Sequence, residues 1–302
     1  MYVAMTSDDD NAADGLFQQP ASRMKGGKME RPIPKRKFGK TGAELTILGL
    51  GGEGVLRTFG RENEADALIN TALDLGINYM ESARAYSGSE AYYGQALRER
   101  RDKVFLASKS HARDKKGVLD HLEESLKNMK TDHLDLWYIH DVRTEEEISQ
   151  IFGPDGALEG FTQARARGLV KYIGVSGHHD PAIIKKCLES FDFDAVLVPV
   201  NPAEPFYKCF LDEVVPVASA KDTAIVGMKV YMKGLFQAPK RLLLSYALTQ
   251  PISLAVVGCD NVEQLNENAE AASGFQPLKY KEVQRFTQMV EPYARQLQYY
   301  KP

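Results

Sequence analysis

The sequence predicts an α/β fold, a (β/α)8 TIM barrel with an N-terminal β-hairpin plug and a C-terminal helix. Two observations carry the prediction. From residue 46 onward, short apolar runs rich in Val, Ile, Leu and Tyr alternate with longer segments whose apolar residues return at i, i+3 or i+4, the signature of parallel βα units. Eight such units follow one another in about 225 residues, with strand starts recurring roughly every 23 to 38 residues, which suits a closed barrel.

In chain order, the first thirty residues are polar, contain glycine and show no hydrophobic period. Residues 1–30 therefore read as a flexible tail and 31–302 as one barrel domain. "KRKFGKTGAEL" reads as two short strands around a glycine-containing turn, a plug for the barrel's bottom. The strands are expected at 46–52, 77–82, 104–109, 134–140, 172–177, 195–201, 224–230 and 254–259. Between them, "ENEADALINTALDLG", "GVLDHLEESLKNM", "DPAIIKKCLES" and "NVEQLNENAEAA" have helical period and capping residues at their starts. The segment "LKYKEVQRFTQMVEPYARQLQYY" reads as the terminal helix.

Composition sets the remaining bounds. With 302 residues, 43% apolar and 26% charged, the chain can bury a large core. A formal net charge of -3 gives no basic field for nucleic acid or an anionic membrane, so neither partner is expected. No run of about 18 apolar residues and no signal-peptide h-region occur. Cys187, Cys209 and Cys259 stand far apart without a CxxC, which argues against disulfides or structural zinc and fits a reduced, cytoplasmic compartment. "GLGGEG", Gly49 to Gly54, satisfies the G-x-G-x-x-G dinucleotide fingerprint. That fingerprint needs a helix opening on its last glycine, whereas "VLRTFGREN" intervenes and helical character resumes near Glu62, so a barrel strand is the better reading.

In such a barrel the chemistry gathers at the C-terminal ends of the strands. Strand two delivers Glu81 and then Tyr86, strand three Lys109 and strand four His140. A phenol has a free pKa near about 10, too high for easy proton donation at neutral pH, and an adjacent ammonium is expected to lower it. A carboxylate beside the lysine would hold that ammonium, and an imidazole could orient a carbonyl oxygen. Acid, phenol, amine and imidazole together suit the protonation of an oxygen.

These residues resemble the aldo-keto reductase family. "ESARAYSGSEAYYGQAL" is similar to its DTAxxYGxSExxLGxAL pattern, with Glu81 and Tyr86 at the acid and tyrosine positions. Lys109 in "VFLASK" and His140 in "LDLWYIH" match the other two members of the catalytic tetrad. "GLVKYIGVSGH" (168–178) resembles the strand-five motif GxxRxxGVSN, and "VVGCDNVEQLNEN" (256–268) the strand-eight segment that closes on the cofactor. The "GLGGEG" first strand and "GMK" seventh strand resemble a bacterial-type subgroup, some of whose relatives carry a cysteine-rich iron–sulfur tail. This chain ends "QLQYYKP", so no cluster is expected.

The resemblance implies an NAD(P)H-dependent oxidoreductase that reduces an aldehyde or ketone to an alcohol by hydride transfer, with NADPH the expected cofactor and NADH the alternative. It implies Tyr86 as general acid, Lys109 as the group that lowers its pKa, Glu81 as the anchor of Lys109 and His140 as the orienter of the carbonyl. For the cofactor it points to Gly52, Ser176, Gly177, Met228, Lys229, Gly258, Gln264, Glu267 and Asn268. The chain departs from the pattern in several places. Its tetrad acid is Glu81 where the family has aspartate, Gly177 and Leu197 stand where amide side chains would hold the nicotinamide, and Met228 replaces a stacking aromatic. Gln264 replaces the basic residue that clasps the 2′-phosphate, with Lys229 or Arg241 as substitutes. A nicotinamide-nucleotide-binding scaffold or redox-sensing subunit is the alternative function. A metal-dependent barrel is a third, resting on His111, His140, Asp141 and the pair His178–His179, but no carboxylate set is expected to converge on that pair, so no metal is assigned. Arg57, Phe59, Arg143, Tyr207 and Phe236 are candidates for the substrate pocket.

Overall fold

A computed structural model describes the chain from Lys28 onward, together with the strand pieces Val3–Ala4 and Met24–Lys25. The tail expected over 1–30 falls largely outside the described residues. Val3–Ala4 pairs in parallel with Phe236–Gln237.

Eight parallel strands close into a barrel. They are β1 (Leu48–Gly54), β2 (Tyr79–Glu81), β3 (Phe105–Ser110), β4 (Leu134–Ile139), β5 (Val170–Ser176), β6 (Ala195–Pro199), β7 (Ala224–Met228) and β8 (Leu254–Cys259). Neighbours in sequence are neighbours in space, and β8 returns to β1 through Ala255↔Leu48 and Val257↔Leu50. Each expected strand is found, with ends moved by up to two residues. The seam between β8 and β1 ends in a register shift at Cys259↔Gly54, where Gly54 adopts φ +71 and a Cβ would come within 2.3 Å of the Cys259 carbonyl oxygen.

The helices pack outside, and side-chain caps close four of their starts. Asp114 accepts from Gly117 N–H at the head of the helix Lys115–Met129, Thr144 from Glu147 N–H, Asp180 from Ala182 N–H and Asn261 from Gln264 N–H. The described residues form twelve α-helical segments, the first three being α1 (Glu62–Asp74), α2 (Ser89–Ala96) and α3 (Lys115–Met129). The hairpin Lys35–Lys37 with Glu44–Thr46 lies across the bottom. Between its strands Phe38 is fully buried, with ring contacts to Phe105 at 5.2 Å and Tyr79 at 5.9 Å. Among the described residues, no helix is long and apolar enough to cross a membrane.

The two-residue period of the strands builds the site. Leu50, Met80, Leu106, Trp137, Val175 and Val198 face the helices, while Tyr79, Ala107, Leu136, Tyr138, Ala195, Val226 and Val256 fill the barrel interior. Two residues beyond this interior layer the same inward faces present Glu81, Lys109, His140, Leu197, Met228 and Gly258 at the mouth. The periodicity that makes the core thus also sets the ring of residues at the mouth above it.

The C-terminus adds an element the sequence did not foretell. The expected terminal helix spans Tyr280–Val290 and gives way to a 3-10 turn at Glu291–Tyr293, where Pro292 withholds an amide donor, and then to a short turn of helix at Ala294–Leu297. The last residues then fold back to the mouth. Lys301, its side chain fully buried, pairs with Glu204 Oε1 at 2.9 Å and donates to the carbonyls of Tyr207 and Lys208. Tyr300 OH donates to Glu204 Oε1 at 2.6 Å and accepts from Asn201 Nδ2 at 2.8 Å.

Candidate active site at the barrel mouth

Glu81, Tyr86, Lys109 and His140 come together. Lys109 Nζ lies 2.8 Å from Glu81 Oε2 and donates to the Ser82 carbonyl at 2.9 Å, with both side chains almost fully buried. The same ammonium sits 4.7 Å from the centre of the Tyr86 ring, and the His140 ring meets Tyr86 edge-on at 5.8 Å. Glutamate, one methylene longer than the family's aspartate, therefore reaches the lysine. Arg84, between Glu81 and Tyr86 in sequence, turns away and pairs with Glu90 and Glu124, both at 2.6 Å. Glu90 also accepts from Ser108 and Ser125, so Arg84 belongs to a network that joins α2 to α3 and β3.

The electrostatics correct one expectation. Tyr86 has a pKa raised well above the usual phenol value, first by burial and then by Glu81 and Glu53, with Arg57 as the opposing cation. Lys109 does not reverse this because its charge is already matched by Glu81. Burial, ahead of the Lys109 charge, pushes His140 well below the ordinary imidazole value, so it is neutral at pH 7, and its Nδ1 is buried without a hydrogen-bond partner. Burial also raises the Glu81 pKa against the pull of Lys109.

Two cavities meet at these groups. One of about 860 Å³ runs from Glu81 and Tyr86 across β1, β7 and β8 to Lys233, Lys240 and Gln264. The other, about 460 Å³, lies over Tyr86, Lys109 and His140 and is walled by Arg57, Arg143 and Ser176. Glu53, Tyr86, Leu197, Met228 and Lys229 line both.

The residues that the resemblance assigns to the cofactor fall into two groups. Met228, Lys229, Gly258 and Gln264 line the larger cavity and Ser176 the smaller one. Ser176 Oγ is engaged within the protein, accepting from Asp141 N–H at 2.9 Å and donating to the Ile139 carbonyl at 3.3 Å. Gly52 faces elsewhere, since a Cβ on it would meet Ser89 Oγ at 2.5 Å, and its neighbours Gly51, Glu53 and Gly54 are the ones that line the cavity. Gly177 packs toward Ile184. Glu267 pairs with Lys240 at 2.7 Å, and the buried Asn268 accepts from Tyr231 OH at 2.7 Å. Both stand behind the cavity wall, which is formed by Lys240 and Tyr231.

Of the pocket candidates, Arg57 and Arg143 line the smaller cavity and Phe236 the larger, whereas Phe59 is exposed and Tyr207 OH donates to the Pro302 carbonyl. Sequence reasoning missed Glu53, Arg113 and Tyr299. Only the placement of Glu53 was foreseeable, because it continues the inward face of β1 above Gly49 and Gly51. His178 and His179 are joined by a carboxylate after all: Asp141, turned back at φ +54, puts Oδ1 within 3.2 Å of His178 Nε2.

Comparison with known proteins agrees with this geometry. The model of the "Aldo/keto reductase family" matches residues 47–241, more than half of the chain. The uncharacterized oxidoreductase YqkF of Bacillus subtilis is 27% identical over 289 residues, covering 79% of this chain and 91% of the relative. The holo form of aldo-keto reductase AKR11C1 from Bacillus halodurans superposes with a TM-score of 0.73 at 22% identity, over 85% of this chain and 96% of that one. An aldo-keto reductase from Klebsiella pneumoniae, solved in complex with NADPH, gives 0.72 at 21% identity, over 85% and 95%. With the barrel and the family match in agreement, the chain belongs to the aldo/keto reductase family of oxidoreductases.

Proposed function

We propose that this chain reduces an aldehyde or ketone to the corresponding alcohol, with a reduced nicotinamide nucleotide, NADPH ahead of NADH, as the hydride source. The observation that carries the reading is the meeting of the two cavities at Tyr86, which leaves one cavity for an extended dinucleotide and one for a small carbonyl compound. The larger cavity fits the nucleotide in chemistry as well as size. Lys229, Lys233 and Lys240 supply cations for phosphates along it. When bound, the nucleotide supplies the hydride.

The chain's own residues do the rest. His140, neutral, donates a hydrogen bond to the carbonyl oxygen without competing as an acid. Tyr86 keeps its proton at pH 7 and releases it to the oxygen as alkoxide character develops, because an alkoxide is a far stronger base than a phenolate. Lys109, held by Glu81, faces the ring on which negative charge appears in that step. Arg57, 4.9 Å from the ring centre, is a second cation there.

A nucleotide-binding scaffold with little turnover is the second reading, favoured by Leu197 and the engaged Ser176, which leave few side-chain donors for a carboxamide. The experiment titrates NADPH and NADH separately by fluorescence and then follows reduced-nicotinamide absorbance with a panel of small aldehydes and ketones. Wild type is expected to bind and turn over, and Tyr86→Phe to bind with turnover lowered about a hundredfold or more. A Tyr86→Phe variant as active as wild type removes Tyr86 from the role. Binding without turnover in wild type selects the scaffold.

A further inference from the structure

We propose that Asp141, His178 and His179 form a binding site for a divalent transition metal ion of the zinc class, at the rim of the cavity lined by Tyr86 and His140. One ligand atom from each of the three residues lies within 4.8 Å of the others, and all three side chains are half-buried. Two imidazoles and a carboxylate are the donor set of open, three-ligand zinc sites, whose metal–ligand bonds are about 2.0 to 2.2 Å.

The hydrogen bonding around His178 points to a cation independently of the clustering. Its Nδ1 faces the Tyr300 carbonyl oxygen at 3.4 Å, and its Nε2 faces Asp141 Oδ1 at 3.2 Å. A neutral imidazole has one N–H, so in either tautomer one ring nitrogen opposes an oxygen lone pair to lone pair. Asp141 Oδ1 is itself buried and accepts no aligned hydrogen bond. A metal ion between Nε2 and Oδ1 resolves both conflicts and leaves Nδ1–H donating to the Tyr300 carbonyl, the arrangement that orients metal-bound histidines. Arg143 occupies only the other carboxylate oxygen, Oδ2, through Nε at 2.8 Å.

Asp141 and His178 line the smaller cavity, which places the site at its rim. An ion held there narrows the entry for a substrate and offers it a Lewis acid that the reductase chemistry does not use.

The test is calorimetric titration of Zn²⁺ into the full chain, free of any polyhistidine tag, with wild type, His179→Ala, Asp141→Asn and His121→Gln. The last variant probes the other histidine pair, His111 and His121, whose rings are 4.7 Å apart. One saturable equivalent is expected for wild type and His121→Gln, with affinity at least about tenfold weaker in His179→Ala and Asp141→Asn. Far-UV circular dichroism verifies the fold of each variant, and His179→Ala, at a partly exposed position, carries the result should Asp141→Asn fail to fold. Absence of saturable binding by wild type overturns the proposal. So does binding unaltered by His179→Ala, or lost only in His121→Gln.

Discussion

Replacing Glu81 with aspartate, the residue of the family pattern, is expected to impair this protein rather than restore it. Glu81 Oε2 stands 2.8 Å from Lys109 Nζ in a site that leaves both side chains almost no exposure. Aspartate is one carbon–carbon bond shorter, about 1.5 Å. With Lys109 in place, the gap widens to roughly 4.3 Å, and at an effective dielectric near 20 the attraction drops from about 6 to about 4 kcal/mol. The missing methylene leaves a small void that costs about 1 kcal/mol more. The variant should therefore unfold with about 3 kcal/mol less stability in urea, followed through the single tryptophan, the fully buried Trp137. Should Lys109 instead follow the shortened acid, it leaves the face of Tyr86, 4.7 Å away in the native arrangement, and a displacement near 1 Å lowers turnover by up to about a hundredfold. Either stability or turnover must fall. An aspartate variant with the urea midpoint and the kcat of wild type would refute the reasoning.

Lys301→Met removes one half of a fully buried ion pair and strands the Glu204 carboxylate, at a cost of about 3 to 5 kcal/mol that urea unfolding reads directly. Since Tyr299 lines the larger cavity two residues earlier, the same variant should weaken nucleotide binding, and unaltered affinity would separate the tether from the site. The pair His111 and His121 sets a pH dependence. Burial lowers both pKa values from 6.5, so the unfolded chain takes up their protons first and stability is lost as pH falls from about 6.5 toward the lowered folded values. The buried acids Glu81 and Glu204, with raised pKa values, act with the opposite sign above about 4.5, so the readout is the difference between wild type and His121→Gln across pH 5 to 7.5, with the variant expected to show the flatter loss. Equal slopes would remove His121 from the account.

The barrel was legible because its strands are buried on both faces and read as apolar runs, and because period-two alternation ties the core to the mouth. Tyr79 then Glu81, and Ala107 then Lys109, are inward neighbours on their strands, which is why strand ends alone placed Glu81, Lys109 and His140 at one rim. What escaped detection depends on contacts across long sequence separations. Lys301 and Glu204 are 97 residues apart, and nothing local in "QLQYYKP" marks a lysine that will be fully buried. The convergence of Asp141 on His178 follows from a left-handed turn at Asp141, which the sequence does not announce. The sign of the Tyr86 shift was misjudged because burial, which the sequence does not quantify, outweighs the charges around the ring. Gly52 and Gly177 illustrate a finer limit: within a glycine-rich strand or after a strand end, which residue faces the cavity is decided by local backbone direction.

The central claim is that this chain reduces a carbonyl compound to an alcohol at the expense of a reduced nicotinamide nucleotide. It is tested most directly by the stoichiometry of the complete reaction, in which NADPH oxidised and alcohol formed are quantified together for wild type supplied with a reactive small aldehyde. The account predicts one alcohol per NADPH, with no nucleotide consumed when the aldehyde is omitted. Nucleotide that binds but stays reduced across a broad carbonyl panel, or that is consumed without alcohol appearing, would contradict it.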